Sequence, residues 1–279
     1  MTRVKRVVAA LLVLVSVALS VPAYAAATPQ RAMWVWDRPP PRSLVSFARD
    51  RGVQDLFVAV PADVADSSGW YRDLRSRTRS AGIRMHALGG DPSWIDRPAA
   101  ALTWQRNVLE TGLFDGAHLD VEPWQHPGWE SERDAVVAGY LDLLGGLAAD
   151  TALPVEADVA FWLDQVATGQ GGRLDEAVLA RVDAVTVMSY RDTATGPDSI
   201  TAVAAATLDA AVRAGKPARL AVETNFLGSD PVATKQTFYG QTRTELAAVL
   251  AEVDFANAGQ SGYRGVAVHD RAGWTALRR

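Results

Sequence analysis

Three ionisable side chains stand two residues apart in the stretch 115–124, DGAHLDVEPW: His118, Asp120 and Glu122. Strand alternation puts them on one face and Leu119 and Val121 on the other. Such a row is costly to bury unless its face lines a solvated or functional cavity. Pro123 blocks continuation of a central strand. Two residues along a strand span about 6.5 Å. An ionised Asp120 at that range raises the pKa of Glu122 and keeps it protonated near neutral pH. A neutral carboxylic acid is a proton donor. Glycosidic cleavage needs one beside the leaving oxygen, together with a group that stabilises or captures the cation at the anomeric carbon.

The elements that must position these groups alternate along the chain. Strand-like stretches lie near 32–36, 54–60, 82–88, 115–122, 154–161, 183–190, 218–224 and 263–269. Helix-like segments lie between them near 42–51, 70–81, 98–111, 130–150, 173–181, 199–214 and 242–257, and Gly52, Gly82, Gly112 and Gly215 follow helical runs as C-terminal caps do. Eight units in about 250 residues are the pattern and size of a single (β/α)8 TIM barrel, of class α/β, spanning 27–279. An open doubly wound sheet is the alternative. Few residues follow His269, so the eighth helix must be short or missing.

Taking Met85, Val121, Val159, Val187, Val222 and Val268 as helix-facing leaves a polar interior: Trp34, Trp36, Arg84, His86, His118, Asp120, Glu122, Glu156, Asp158, Met188, Tyr190, Glu223, Asn225 and His269. A structural barrel fills its centre with Val, Ile and Leu. Arg84 requires a carboxylate, with Glu156 and Asp120 the candidates. Trp34, Trp36, Trp94, Trp124, Trp129 and Trp162 fall at or beyond strand ends, where indoles stack on sugar faces and still donate to hydroxyls. They point to a carbohydrate groove. His86, His118 and His269, with Asp120 and Asp270 nearby, admit a second chemistry: a metal that activates water for amide or ester hydrolysis. No H-x-H or H-E-x-x-H motif is present, so the reading favoured involves no metal and no cofactor. The loop 226–241 is long for such a barrel and either covers the cleft or is a passive surface. The glycine-rich 169–172 lacks the Lys-Ser/Thr of a phosphate loop and reads as a flexible connection.

The same stretch resembles a known signature. Glycoside hydrolase family 18, the chitinase-like family, carries D-G-x-D-x-D-x-E on its fourth barrel strand. Asp115, Gly116, Asp120 and Glu122 fall on that pattern, with His118 in place of the middle Asp. Met188-Ser189-Tyr190 is similar to the family's M-x-Y on strand six. The resemblance implies Glu122 as general acid, Asp120 as its partner and Tyr190 as the group that orients the reacting sugar. It also implies a substrate-assisted route through an acetamido oxygen. The chain departs from the family at Arg191, where the family has Asp or Asn, and at His269, where it usually has a Trp under the sugar. Glu122-Pro123 is also similar to the Asn-Glu-Pro of retaining glycosidases that place the acid on strand four and a nucleophilic Glu on strand seven. Glu223 closes strand seven, and Val121 stands where that pattern has Asn. Glu223 is then either a nucleophile or an orienting, salt-bridged residue.

Residues 1–26 read as a secretory signal, with Arg3, Lys5 and Arg6 before the apolar run 7–21 and a small-x-small site at 23–25. A retained anchor is the alternative. The chain has no cysteine, so the exported protein must be held by its core alone. With 22% charged residues, a net charge of −4 and no basic run after the signal, nucleic acid is excluded as a partner. The sequence therefore reads as a secreted, monomeric glycoside hydrolase-like barrel with no stable membrane association after signal cleavage. Its catalytic set is Glu122, Asp120, Tyr190 and Glu223. Its substrate contacts are Trp34, Trp36, His86, His118, Trp124, Asp158, Trp162, Met188, Arg191, Asn225 and His269. A secreted barrel that binds glycan without turnover is the alternative outcome of the same scaffold.

Overall fold

The computed structural model describes residues 29–61, 64 and 68–279; the signal segment expected at 1–26 lies outside the described residues. The strands are β1 (Gln30–Val35), β2 (Val53–Ala59), β3 (Arg84–Gly89), β4 (Gly116–Leu119), β5 (Val155–Ala160), β6 (Ala184–Met188), β7 (Ala218–Glu223) and β8 (Tyr263–His269). Each pairs in parallel with the next, and β8 pairs with β1, so the sheet is a closed barrel and the open alternative falls. At that seam Gly265 (φ 119°) meets Gln30 so closely that a β-carbon would lie 1.9 Å from its carbonyl oxygen. Only glycine lets the two backbones meet there.

The helices are α1 (Pro41–Asp50), α2 (Ser68–Ser80), α3 (Pro98–Leu109), α4 (Arg133–Ala149), α5 (Leu174–Leu179), α6 (Ile200–Ala214), α7 (Pro231–Thr234), α8 (Arg243–Asn257) and α9 (Arg271–Ala276). Local chemistry sets their ends. Pro41 and Pro98 open α1 and α3, where a missing N–H is harmless. Ser199 caps α6, and Thr242 with Glu245 forms a capping box on α8. The loop 226–241 contains α7, and the expected short eighth helix is α9. No helix among the described residues is long and apolar enough to cross a membrane.

The outer faces of the strands pack on the helices as the alternation implies: Met85, Val121, Val159, Val187, Val222 and Val268 are all buried in that shell. The interior is layered. In its lower half Asp55 accepts from Arg84 Nε at 2.5 Å and Arg219 Nη2 at 2.6 Å, and lies 3.0 Å from His86 Nε2. Arg219, fully buried, also reaches Glu156 at 3.2 Å, and Thr186 donates to the same oxygen at 2.5 Å. Asp55 is held far below the carboxylate range and Glu156 at about 2, because cationic and hydrogen-bonding partners outweigh desolvation. Arg84 thus pairs with Asp55, not with Glu156 or Asp120. Above this layer Phe57 stacks on His118, ring centroids 3.5 Å apart, with Trp34 edge-on.

β4 is shorter than the stretch 115–122. Its ladder continues only through Asp120 N to Gly89 O at 2.9 Å, and Pro123 then opens a 3-10 turn. Asp120 and Glu122 therefore sit just past the carboxyl end of the strand, the face where barrels of this kind carry their sites.

Arg219→Met would strip a buried cation from two carboxylates and is expected to destabilise the fold by about 3–5 kcal/mol. Urea unfolding measures this; a change of less than about 1 kcal/mol would show that the lower network does not support the barrel.

Candidate active site

The groups on which chemistry could act converge at the carboxyl ends of β1 and β4–β8. Asp120 and Glu122 follow β4, Asp158 lies on β5, Tyr190 follows β6, Glu223 ends β7 and His269 ends β8. Gly90, just after β3, lets the chain press on the Asp120 main chain: a β-carbon there would lie 1.9 Å from the Asp120 carbonyl oxygen.

One side of the site is a carboxyl pair. Asp158 is buried, accepts from Trp34 Nε1 at 3.3 Å, lies 2.9 Å from His118 Nε2 and hydrogen-bonds Asp120. Burial pulls His118 down to about 4, so it is neutral. Burial and then Asp158 push Asp120 up to about 7, while burial and then Glu156 push Asp158 well above the carboxylate range. Two desolvated carboxyls in contact cannot both ionise near neutral pH, so they share a proton. Glu122 is also pushed to about 7, by burial and then by Asp120. The Tyr190 hydroxyl, raised by burial and by Glu223, Asp158, Asp120 and Glu122 together, stays protonated as a donor among them.

The other side is a relay on β7 and β8. Trp36 Nε1 donates to His269 Nε2 at 2.9 Å, and His269 Nδ1 lies 2.7 Å from Glu223 Oε2. An indole N–H can only donate. Nε2 therefore accepts, and Nδ1 carries the proton given to Glu223. Glu223 Oε1 accepts from Thr224 N and Asn225 N, each at 2.7 Å, and from Asn225 Nδ2 at 3.0 Å. Of the arginines that could have paired with Glu223, Arg191 binds Asp198 and Arg84 binds Asp55; Glu223 is held by backbone amides, Asn225 and His269.

A groove of about 470 Å³ opens beside Trp36, lined also by Arg38, Gly89, Gly90, Asp91 and Trp94. The groove adjoins the site through Trp36 and Gly90, and none of the site carboxyls lines it; a larger hollow of about 610 Å³ lies apart, between α1 and α2 on the outer flank. Trp36 is 44% exposed, the accessible indole of this region. Trp124 and Trp162 are half-buried and pack together at 5.3 Å, with Trp129 against Trp162.

Several expected substrate contacts are corrected by burial. Trp34 and His118 lie in the barrel centre with almost no exposure, and His86 is held in the lower layer by Asp55. Asp158 and Met188 are also buried, the first behind Asp120 and the second in the core shell. Arg191 does not face the cleft: it binds Asp198 and the Tyr190 carbonyl, each at 2.7 Å, and lies over the Phe161 ring. It holds the Tyr190 backbone in place. The histidines do not converge as metal ligands. Each faces a different carboxylate, and among the described residues no group of three or more His, Cys, Asp or Glu could hold a metal ion. The sequence reading passed over Asp55, Arg219 and Tyr140. Period-two extension back from Phe57 and Glu223 finds the first two, whereas Tyr140, on α4 and raised by burial and by Asp158, Asp120 and Glu122, carries no local signal.

No protein-family model and no curated protein matches this chain. Solved structures do. A chitinase from Chromobacterium violaceum is 13% identical, with a TM-score of 0.54 over 90% of this chain and 98% of that one. A family GH18 chitinase from Cycas revoluta in complex with (GlcNAc)4 is 12% identical, with a TM-score of 0.58 over 88% and 95%. The spore cortex-lytic enzyme SleL of Bacillus megaterium is 12% identical, with a TM-score of 0.52 over 88% and 72%. At such identities the likeness is one of fold: this chain is similar to the barrel of chitinases of glycoside hydrolase family 18.

Proposed function

We propose that the chain is a secreted, monomeric glycoside hydrolase acting on a polysaccharide or glycoconjugate, with Glu122 as general acid, Asp120 as its electrostatic partner and Tyr190 orienting the reacting sugar. The observation that carries this reading is a carboxylic acid held protonated to about pH 7 at the carboxyl end of β4, half-open to solvent. Glu122 would give its proton to the glycosidic oxygen as the bond breaks. The Asp120–Asp158 pair keeps negative charge beside the acid. Trp36 and its groove offer a stacking surface, and relatives in fold that bind chito-oligosaccharide make such chains the first substrates to try. With four hydrogen bonds accepted by its two oxygens, Glu223 suits an orienting role better than that of nucleophile.

Glu122→Gln keeps the shape and removes the acid. Across a panel of chito-, cello- and xylo-oligosaccharides it is expected to lower kcat by at least about 100-fold while the protein stays folded. Equal turnover by variant and wild type would remove Glu122 from the mechanism. Binding that survives in the variant, with no product from wild type, would favour the alternative of a binding barrel. Because the acid must be protonated, wild-type turnover should fall as pH rises above about 7. Asp120→Asn should move that limb to lower pH.

The same proton has a consequence for stability. Asp120 titrates near 7 in the folded protein, against an ordinary value of 3.8. Between those values the folded state binds a proton that the unfolded chain has released, so stability falls as pH rises. Asp120→Asn should therefore melt higher than wild type at pH 8, with a flatter pH dependence between 5 and 8. A lower melting point for the variant at pH 8 would contradict the protonation assigned to Asp120. For secretion, N-terminal sequencing of the exported protein should begin near residue 27; retention of residues 1–26 would contradict it.

A further inference from the structure

Helices α1 and α2 turn their apolar residues to the barrel, Leu44, Val45 and Ala48 on the first and Tyr71 and Leu74 on the second. On the outer flank a hollow of about 610 Å³ lies between them. Its α1 wall is Arg42, Ser46 and Arg49, spaced i, i+4 and i+7 on one face of the helix. Its α2 wall is Ser76, Arg77 and Ser80. Serine side chains are short, which leaves the space between the helices open. The charge there is one-sided. Asp73 is the single carboxylate in the lining among the described residues, and it is paired with Arg77 at 2.8 Å. Arg42 and Arg49 are exposed and make no side-chain hydrogen bond or ion pair among the described residues. Two guanidinium groups without a counter-charge thus share one helix face, at positions about 10 Å apart along its axis. They do so in a chain whose net charge is −4.

We propose that this hollow binds a polyol phosphodiester chain, with Arg42 and Arg49 each taking one phosphate and Ser46 and Ser76 donating to the non-bridging oxygens. A guanidinium presents paired N–H groups that match two oxygens of one phosphate. A serine hydroxyl adds a donor to the same oxygens. The Ser80 hydroxyl is already given to the Ser76 carbonyl at 2.9 Å and is left out of the set. The rest of the lining is aliphatic, Val45 and Ala81, and no aromatic ring faces the hollow among the described residues. A nucleic-acid base would find nothing to stack on, and the rings of an acidic polysaccharide would meet no indole or phenol face. A flexible chain of singly charged phosphates joined by aliphatic units needs neither. The hollow shares no lining residue with the groove beside Trp36. Since α1 follows β1 and Trp36 after a short link, a chain held on this flank would tether the barrel and leave its mouth free. The proposal stands independently of the glycoside hydrolase reading.

The test uses the full exported chain and three fluorescently tagged polymers: poly(glycerol phosphate), oligothymidylate and polygalacturonate. Fluorescence anisotropy reads their binding. Poly(glycerol phosphate) is expected to bind, more weakly as salt rises. The double variant Arg42→Gln/Arg49→Gln should bind it about 10-fold more weakly or worse, because it loses two charge-assisted contacts. Arg79→Gln removes an exposed cation from α2 outside the hollow and should keep at least about half the affinity, which separates a built site from general charge. All four side-chain changes are on the surface, and circular dichroism checks that each variant is folded. No binding of poly(glycerol phosphate) by wild type would overturn the proposal. So would a smaller loss in the double variant, or a larger loss in Arg79→Gln. Oligothymidylate or polygalacturonate bound as tightly as poly(glycerol phosphate) would overturn the polyol phosphate as the ligand.

Discussion

Asp120, Glu122, Asp158 and Glu223 carry their carboxyl groups into one poorly hydrated region at the barrel mouth, and they cannot all be ionised. The rest of the molecule settles which of them hold protons. Glu223 is given four donors, from β8 and from its own turn. Asp158 receives the Trp34 indole and faces a histidine kept neutral by burial. Asp120 and Glu122 have no such donors among the described residues, and burial, then the neighbouring carboxyl, holds their protons to about neutral pH. Burial beside a second carboxyl group, and not the count of donors alone, sets which of these groups keep a proton, since Asp158 is raised although the Trp34 indole reaches it.

The lower half of the barrel solves the opposite problem. Asp55 and Glu156 are as deeply buried, but Arg84, Arg219 and Arg264 lie beside them, and both stay ionised. Cations at the base and acids at the mouth are separated by the aromatic layer of Trp34, Phe57 and His118. That layer keeps the guanidinium groups away from Glu122, whose proton they would otherwise drive off.

Much of this could be read from the residue pattern, and the failures share one cause. Period-two alternation identified the eight strands and their outward Val and Met residues because every strand is buried on both faces. It also marked Trp34, His86 and His118 as inward, correctly. It does not encode depth. Whether an inward residue lies at the base, the centre or the mouth depends on register between strands, such as His118 opposite Glu156 and Glu223 opposite His269. Residues assigned to the substrate were therefore found one or two layers below it. Asp55 and Arg219 escaped notice because they lie deep in their strands, two positions before Phe57 and four before Glu223, away from the strand ends. The departure at His269 was visible as a residue type, but its meaning required Trp36 and Glu223 on either side of the ring.

The central claim is that the Glu122 carboxyl keeps its proton to near neutral pH because it is desolvated beside Asp120. Carbon-13 NMR of the glutamate side-chain carboxyls, with Glu122 assigned by its loss in Glu122→Gln, tests this directly. A Glu122 titration centred at about 7 in wild type, moving down in Asp120→Asn, is the result this account predicts. A Glu122 carboxyl that titrates at its ordinary 4.5 in the folded protein would contradict it.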